Sequence, residues 1–246
     1  MVTEEHGVSS LPVPDFRLMD TMADTPGKII LGSRSPRRAE LLKLLIPAEQ
    51  IEILTPANPV ESGFQDAHTW REIERIVSEI ARTKNDDVIA QLEAAGHTDY
   101  QAVLTADTVI VCSEPRQVHD KVETLHVLGQ PHEDADWKSE VAHWFKRYYF
   151  GRDHWAVTAL CLVDATGWLH EAVERTTVTF RRADVSLLEW YLSTGEPLGK
   201  AGGYAIQEAG SVFVEAVQGS LTNVVGLPLE SLRKLLADCE IDIQAH

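Results

Sequence analysis

The chain has 246 residues, 44% hydrophobic and 24% charged, with 38 acidic against 22 basic side chains and a formal net charge of −16. That composition suits one large globular domain, or a domain of about 200 residues with extensions. Its acidic surface argues against nucleic acid polymers and anionic membranes as partners. A polyanionic small ligand would have to be held by a locally basic site or through a metal ion.

Residues 1–27 carry Ser9, Ser10, Pro12, Pro14 and Pro26 with little periodicity, which predicts a mobile N-terminal extension. Its polar, acidic character is not that of a secretory signal, and the longest apolar runs are strand-sized. The cysteines, Cys112, Cys161 and Cys239, are odd in number and far apart, which argues against a disulfide framework or a cysteine zinc site. A cytoplasmic protein is the expectation.

Lys28 to Leu31 reads as a strand ending at Gly32. Ser35-Pro36 then opens a helix, with serine suited to the N-cap and proline to the first helical position. Ile51 to Leu54 is a second strand, followed by a loop over Pro56 to Asp66 with a buried-looking Val60-Glu61. Helical spacing covers Trp70 to Leu92, and a near-continuous apolar run covers Ala102 to Cys112, the mark of a central strand. Ser113 to His126 is polar and reads as a surface loop. Asp134 to Tyr148 predicts a helix, Trp155 to Asp164 and Val173 to Arg181 strands, and Val185 to Ser193 a helix. Gly202 to Glu215 mixes glycines with strand-like segments, and Pro228 to Cys239 is a closing amphipathic helix. The alternation predicts an α/β fold with a mixed sheet.

Three segments carry chemistry. In Gly32-Ser33-Arg34-Ser35-Pro36-Arg37-Arg38 a strand runs through a small-residue turn into a helix, where backbone N–H groups favour an anion. Ser33 and Ser35 add hydroxyls, and Arg37 and Arg38 add guanidinium groups suited to phosphate. The turn lacks the GxxxxGK[ST] of a P-loop. Asp107-Thr108 interrupts the apolar central strand, and an acid there is costly unless it is paired or binds a metal. The glycine-rich Gly199 to Gln207 lets backbone approach a ligand, and Gln207 offers a donor and an acceptor to a base edge.

Taken in order, these segments resemble the Maf family of nucleotide pyrophosphatases. Leu31 to Leu42 follows the family's Leu-Ala-Ser-x-Ser-Pro-Arg-Arg-x-Glu-Leu-Leu. Ala106 to Val109 follows Ala-Asp-Thr-Val, Gly195 to Gln207 follows Gly-Glu-Pro-x-x-Lys-Ala-Gly-x-Tyr-x-Ile-Gln, and Asn223 to Leu229 follows Asn-Val-Val-Gly-Leu-Pro-Leu. The resemblance covers about residues 29–238 and predicts an elongated α/β fold with two lobes around a central cleft, in one catalytic domain over 28–246.

The resemblance further implies hydrolysis of a nucleoside triphosphate to the monophosphate and pyrophosphate. Asp107 falls on the position regarded as catalytic base, and equally on one able to hold the metal, Mg²⁺ or Mn²⁺. Glu61 falls on a second metal-binding acid and Lys84 on a cleft lysine placed to meet phosphate. Arg37, Thr108 and Gln207 fall where the family sets nucleotide preference. Ser-Pro-Arg-Arg, Ala-Asp-Thr and Tyr-x-Ile-Gln resemble the dTTP/UTP branch rather than the 7-methyl-GTP branch. A homodimer is a family-level expectation.

The chain departs from the pattern in places. Leu128-Gly129-Gln130-Pro131 has glutamine where the family's Leu-Gly-Lys-Pro sets a cleft lysine, so Gln130 meets phosphate without a charge. An insertion of about 113–127 precedes it, and its Lys121 is a candidate substitute for the missing cation. Arg34 sits where a small or neutral residue is commoner. His154 fits the family pattern and reads as structural.

Overall fold

The computed structural model describes residues 27–58, 63–114, 124–133, 136–182 and 185–243. The extension therefore lies outside the described residues except for Gly27, as do Val60, Glu61 and Lys121.

The strands are β1 (Lys28–Gly32), β2 (Ile51–Ile53), β3 (Tyr100–Ser113), β4 (Leu125–Leu128), β5 (Asp153–Asp164), β6 (Leu169–Phe180) and β7 (Val214–Gln218). The helices are α1 (Pro36–Leu42), α2 (Trp70–Ala94), α3 (Trp137–Trp144), α4 (Val185–Ser193), α5 (Leu221–Val225) and α6 (Leu229–Asp238). The strands form one mixed sheet in the order β2-β1-β3-β5-β6-β7, with β4 also paired to β3. β1 runs parallel to β2 and β3, and the other pairs are antiparallel. The predicted α/β class and mixed sheet are found.

Strand β3, at 14 residues, is the spine, and at about 3.4 Å per residue it extends the molecule over roughly 45 Å. Its side chains alternate between the two faces of the sheet. Val103, Val109 and Val111 pack under α2, while Ala102, Leu104 and Ala106 face α1 and α6, and Ile110 and Cys112 face α3 and α4. The second face thus carries two separate cores, one at each end of β3. These are the two lobes. The far lobe is aromatic, with Phe145, Tyr149, Phe180, Tyr191 and Phe213 all fully buried, each burial stabilising by about 1.5–3 kcal/mol.

Helix α2 holds to the sheet by more than apolar contact. Thr69 and Glu72 close a capping box at its start. Buried Asn85 Nδ2 donates to Val103 O (2.9 Å) and Cys161 O (3.2 Å), and Thr105 Oγ1 donates to Ala81 O (2.7 Å). Thr105 also accounts for Gly32 at its paired position. A Cβ on Gly32 would lie 2.5 Å from the Thr105 methyl group, so the glycine leaves room for that threonine.

The expected loop over Ser113 to His126 is partly strand. Ser113 ends β3, and Leu125 and His126 begin β4, which pairs Ile110 with Leu128 and Ser113 with Leu125. Glu114 N donates to Thr124 O (2.9 Å) and closes this hairpin. The expected helix over Asp134 to Tyr148 is α3 followed by a π-helical turn, Phe145–Tyr149. The wider turn places both Phe145 and Tyr149 in the aromatic core.

His154 is fully buried there, with Nε2 2.7 Å from Tyr204 Oη. Burial pushes its pKa down to about 3, so the imidazole is neutral in the fold, in keeping with a structural role. The unfolded chain binds this proton below about pH 6.5 and the folded chain does not. Stability is therefore expected to fall between pH 6.5 and 3 by about 1.4 kcal/mol per unit from this group. Urea melts across that range check it, and a slope unchanged in His154→Phe would reject the assignment.

Candidate active site

The cleft begins as a gap in the sheet. Along one edge β3 is paired without interruption to β5 from Ala102 to Val111. Along the other, β1 ends with Gly32 opposite Thr105, and β4 reaches no further than Leu128, opposite Ile110. Ala106 to Val109 therefore face a space where both neighbouring strands have left. Asp107 and Thr108 sit in that gap and point to opposite faces of the sheet. The cavity there has a volume of about 1070 Å³.

On the α2 face, Lys84 Nζ donates to Asp107 Oδ1 at 2.6 Å, with the two side chains 18% and 14% exposed. Lys84 lies one turn from Ala81 and next to Asn85, two α2 residues bonded to β3, so its position is fixed by the helix docking. Asp107 and Glu140 are the carboxylates lining the cleft among the described residues, and Glu140 is engaged by His132, whose Nδ1 lies 3.1 Å away. Asp107 Oδ2 makes no hydrogen bond among those described.

On the other face, Arg38 is committed to the protein. Its Nε donates to Gly226 O (2.8 Å), Nη2 to Thr108 Oγ1 (3.0 Å) and Nη1 to Ser33 Oγ (3.4 Å). Burial lowers its pKa, Asp107 opposes that shift and Arg37 adds to it; its ordinary value is high enough that the group stays charged. Arg38 thus ties α1 to β3 and α5 as well as contributing charge. Gly226 ends α5 at φ 120°, and α5 is anchored by Asn223, whose Nδ2 donates to Ala156 O (3.0 Å) and Thr176 Oγ1 (3.0 Å). The Asn-Val-Val-Gly segment therefore serves to place one carbonyl against one guanidinium.

Ser35 occupies the N-cap position of α1 with Pro36 following, but its hydroxyl makes no capping bond. Instead Ser35 N donates to Ser33 Oγ at 3.1 Å. Ser35 and Arg37 line the cleft, as do Gln130, two residues after β4, and Gln207. Gly202 adopts φ 68°, and a Cβ there would meet Tyr149 Oη at 2.5 Å. Its N–H donates to Gly129 O (2.8 Å), which ties the glycine-rich segment to the residue before Gln130.

Every described residue singled out from sequence for this site thus lines one cleft. Glu61 lies outside the described residues. The sequence reading missed His68, His126 and His132, which line the same cleft. His68 Nδ1 is 3.2 Å from Leu125 O, and His126 Nε2 is 3.1 Å from Glu114 Oε1, within ion-pair range but off hydrogen-bond geometry. Lys200 also lines it, held by Glu196 O (2.8 Å) and Glu208 (3.2 Å). It stands in the quoted glycine motif, which was the signal available for it.

A deep gap holding one carboxylate–ammonium pair, with arginines and hydroxyls opposite, defines an α/β protein built to take a phosphorylated ligand. The chain matches the family described as Maf-like protein over residues 28–239, and it belongs to that family. A dTTP/UTP pyrophosphatase of Chelativorans sp. (strain BNC1) is 36% identical over 212 residues, covering 86% of this chain and 91% of that protein. One of Anaeromyxobacter dehalogenans (strain 2CP-1 / ATCC BAA-258) is 36% identical, covering 85% and 92%. One of Moorella thermoacetica is 35% identical over 221 residues, covering 88% and 97%. Among the described residues no helix is long and apolar enough to cross a membrane.

Proposed function

We propose that this cleft hydrolyses dTTP and UTP to the nucleoside monophosphate and pyrophosphate. The observation that carries the reading is the Lys84–Asp107 pair in the sheet gap, in a family whose curated relatives are named dTTP/UTP pyrophosphatases.

In this reading the triphosphate lies across the turn of Ser33, Ser35 and Arg37, with Lys84 and Gln130 on its other side. Arg38 holds the turn and Thr108 in register. Gln207 and Thr108 face the base. Asp107 orients a water and takes its proton as the water oxygen attacks phosphorus. The α–β phosphoanhydride bond breaks, and pyrophosphate departs with the electron pair of the bridging oxygen. Lys84 keeps Asp107 aimed and meets charge developing on the phosphate oxygens.

The oxygen donor set suits a hard cation. Asp107 Oδ2 faces a cleft in which no other described carboxylate is unengaged, and Mg²⁺ is commonly held by one or two carboxylates plus substrate phosphates. Asp107 would hold the ion, with Glu61 as the second acid. When bound with the nucleotide, Mg²⁺ or Mn²⁺ would neutralise phosphate charge.

Pyrophosphate release measured over a panel of nucleoside triphosphates with Mg²⁺ tests the reading. Turnover of dTTP and UTP at least tenfold above the others is expected. Preference for 7-methyl-GTP would keep the reaction and overturn the branch, whereas nucleotide binding with no release would point to a regulator. Gln130→Lys, which restores a charge-assisted contact of about 1.5–3 kcal/mol, is expected to raise kcat/KM roughly tenfold or more. An unchanged kcat/KM would remove Gln130 from the phosphate site.

A further inference from the structure

We infer that Asp164, His170 and Cys239 form a second metal site, separate from the cleft, that takes a zinc-class divalent cation. One carboxylate oxygen, one imidazole nitrogen and the thiol sulfur all lie within 4.8 Å of one another. Asp164 and His170 flank one turn but Cys239 lies far along the chain from both, so cysteine spacing gives no sign of the site. The fold assembles it from the last residue of β5, the second residue of β6 and the residue that ends α6.

All three ligand residues are anchored before any ion arrives. Asp164 Oδ1 accepts from Thr166 N (2.8 Å), Thr166 Oγ1 (2.6 Å) and Trp168 N (3.1 Å). Those bonds close the β5–β6 turn and fix the carboxylate, leaving Oδ2 directed at His170 Nε2, 3.1 Å away. His170 is fixed by its pairing with Leu162. Cys239 is held at the helix end by backbone bonds to Leu235 and Leu236.

The chemistry of the set selects the metal. A thiolate, an imidazole and a carboxylate are the donors of a borderline-soft, four-coordinate ion, which would take water as its fourth ligand. All three residues are only partly buried, so solvent reaches them. A carboxylate and a thiolate balance a charge of +2. Asp238 adds further negative potential, and burial together with Asp164 and Asp238 raises the Cys239 thiol to about 11. The bonds from Thr166, His170 and Trp168 outweigh burial and hold Asp164 at about 2, ready as an anion.

The site stands apart from the cleft. Asp164 pairs with Ala102 and Asp107 with Ala159, five residues along the sheet, which separates the two by roughly 17 Å. An ion here would clasp the β5–β6 hairpin to the end of α6. No cysteine lines the cleft among the described residues, so sulfur ligation distinguishes the sites.

The test is a Co²⁺ titration of the metal-free full chain. The native chain is expected to show a near-ultraviolet thiolate-to-cobalt charge-transfer band that saturates at one equivalent and is displaced by Zn²⁺. Cys239→Ser is expected to abolish the band. His170→Ala, which keeps the thiol, is expected to weaken Co²⁺ binding at least tenfold, with circular dichroism confirming the fold of both variants. Alkylating Cys239 in the native chain gives the same readout should Cys239→Ser fail to fold. No band in the native chain, a band that survives Cys239→Ser or alkylation, or an affinity unchanged in His170→Ala would overturn the inference.

Discussion

Replacing Asp107 with asparagine is expected to slow pyrophosphate release by about 10²–10⁴-fold, the range a positioned general base contributes. Asparagine keeps the shape of the side chain and the hydrogen bond to Lys84, but neither takes a proton nor anchors a cation well. Because the variant preserves packing in the β3 gap, nucleotide affinity should change far less than kcat. Single-turnover rates beside equilibrium nucleotide binding separate the two. A variant that turns over within tenfold of the native chain would remove Asp107 from the chemistry. One that loses binding and rate equally would make it a binding group alone.

Lys84→Met is expected to lower kcat/KM by roughly tenfold to a hundredfold, corresponding to the loss of a charge-assisted bond of about 1.5–3 kcal/mol. Methionine keeps much of the aliphatic stem and leaves Asp107 without its 2.6 Å partner. The decisive comparison is the double variant. If Lys84 works by aiming Asp107, its removal should cost little once Asp107 is already asparagine, so the two effects will not add. Full additivity would mean that Lys84 acts on phosphate independently of Asp107.

Much of this architecture is legible in the sequence because its elements are long. Helix α2 and strand β3, with 25 and 14 residues, carry enough periodicity to declare themselves. Strand β4 has only four residues, and α5 five, too few for a period to show. Both are fixed by tertiary partners, β4 by the end of β3 and α5 by the Asn223 contacts with the sheet. The site was legible for a related reason. Asp107 breaks an apolar run, and the serines and arginines are contiguous. His68, His126 and His132 carry no such mark, since the loop before α2, strand β4 and the segment after it meet only when the sheet is assembled. The part played by Arg38 was visible as charge but not as a brace, because its acceptor Gly226 lies 188 residues away.

The manner in which β3 and β4 are joined has a consequence for how this protein tolerates change. Four cross-strand pairs and the Glu114–Thr124 bond close the hairpin on the side away from Asp107. Doubling the length of a loop costs only about 0.6 kcal/mol in closure entropy. A longer connection between Glu114 and Thr124 would therefore cost little, because the four strand pairs and the Glu114–Thr124 bond hold the register of β3 and β4 by themselves.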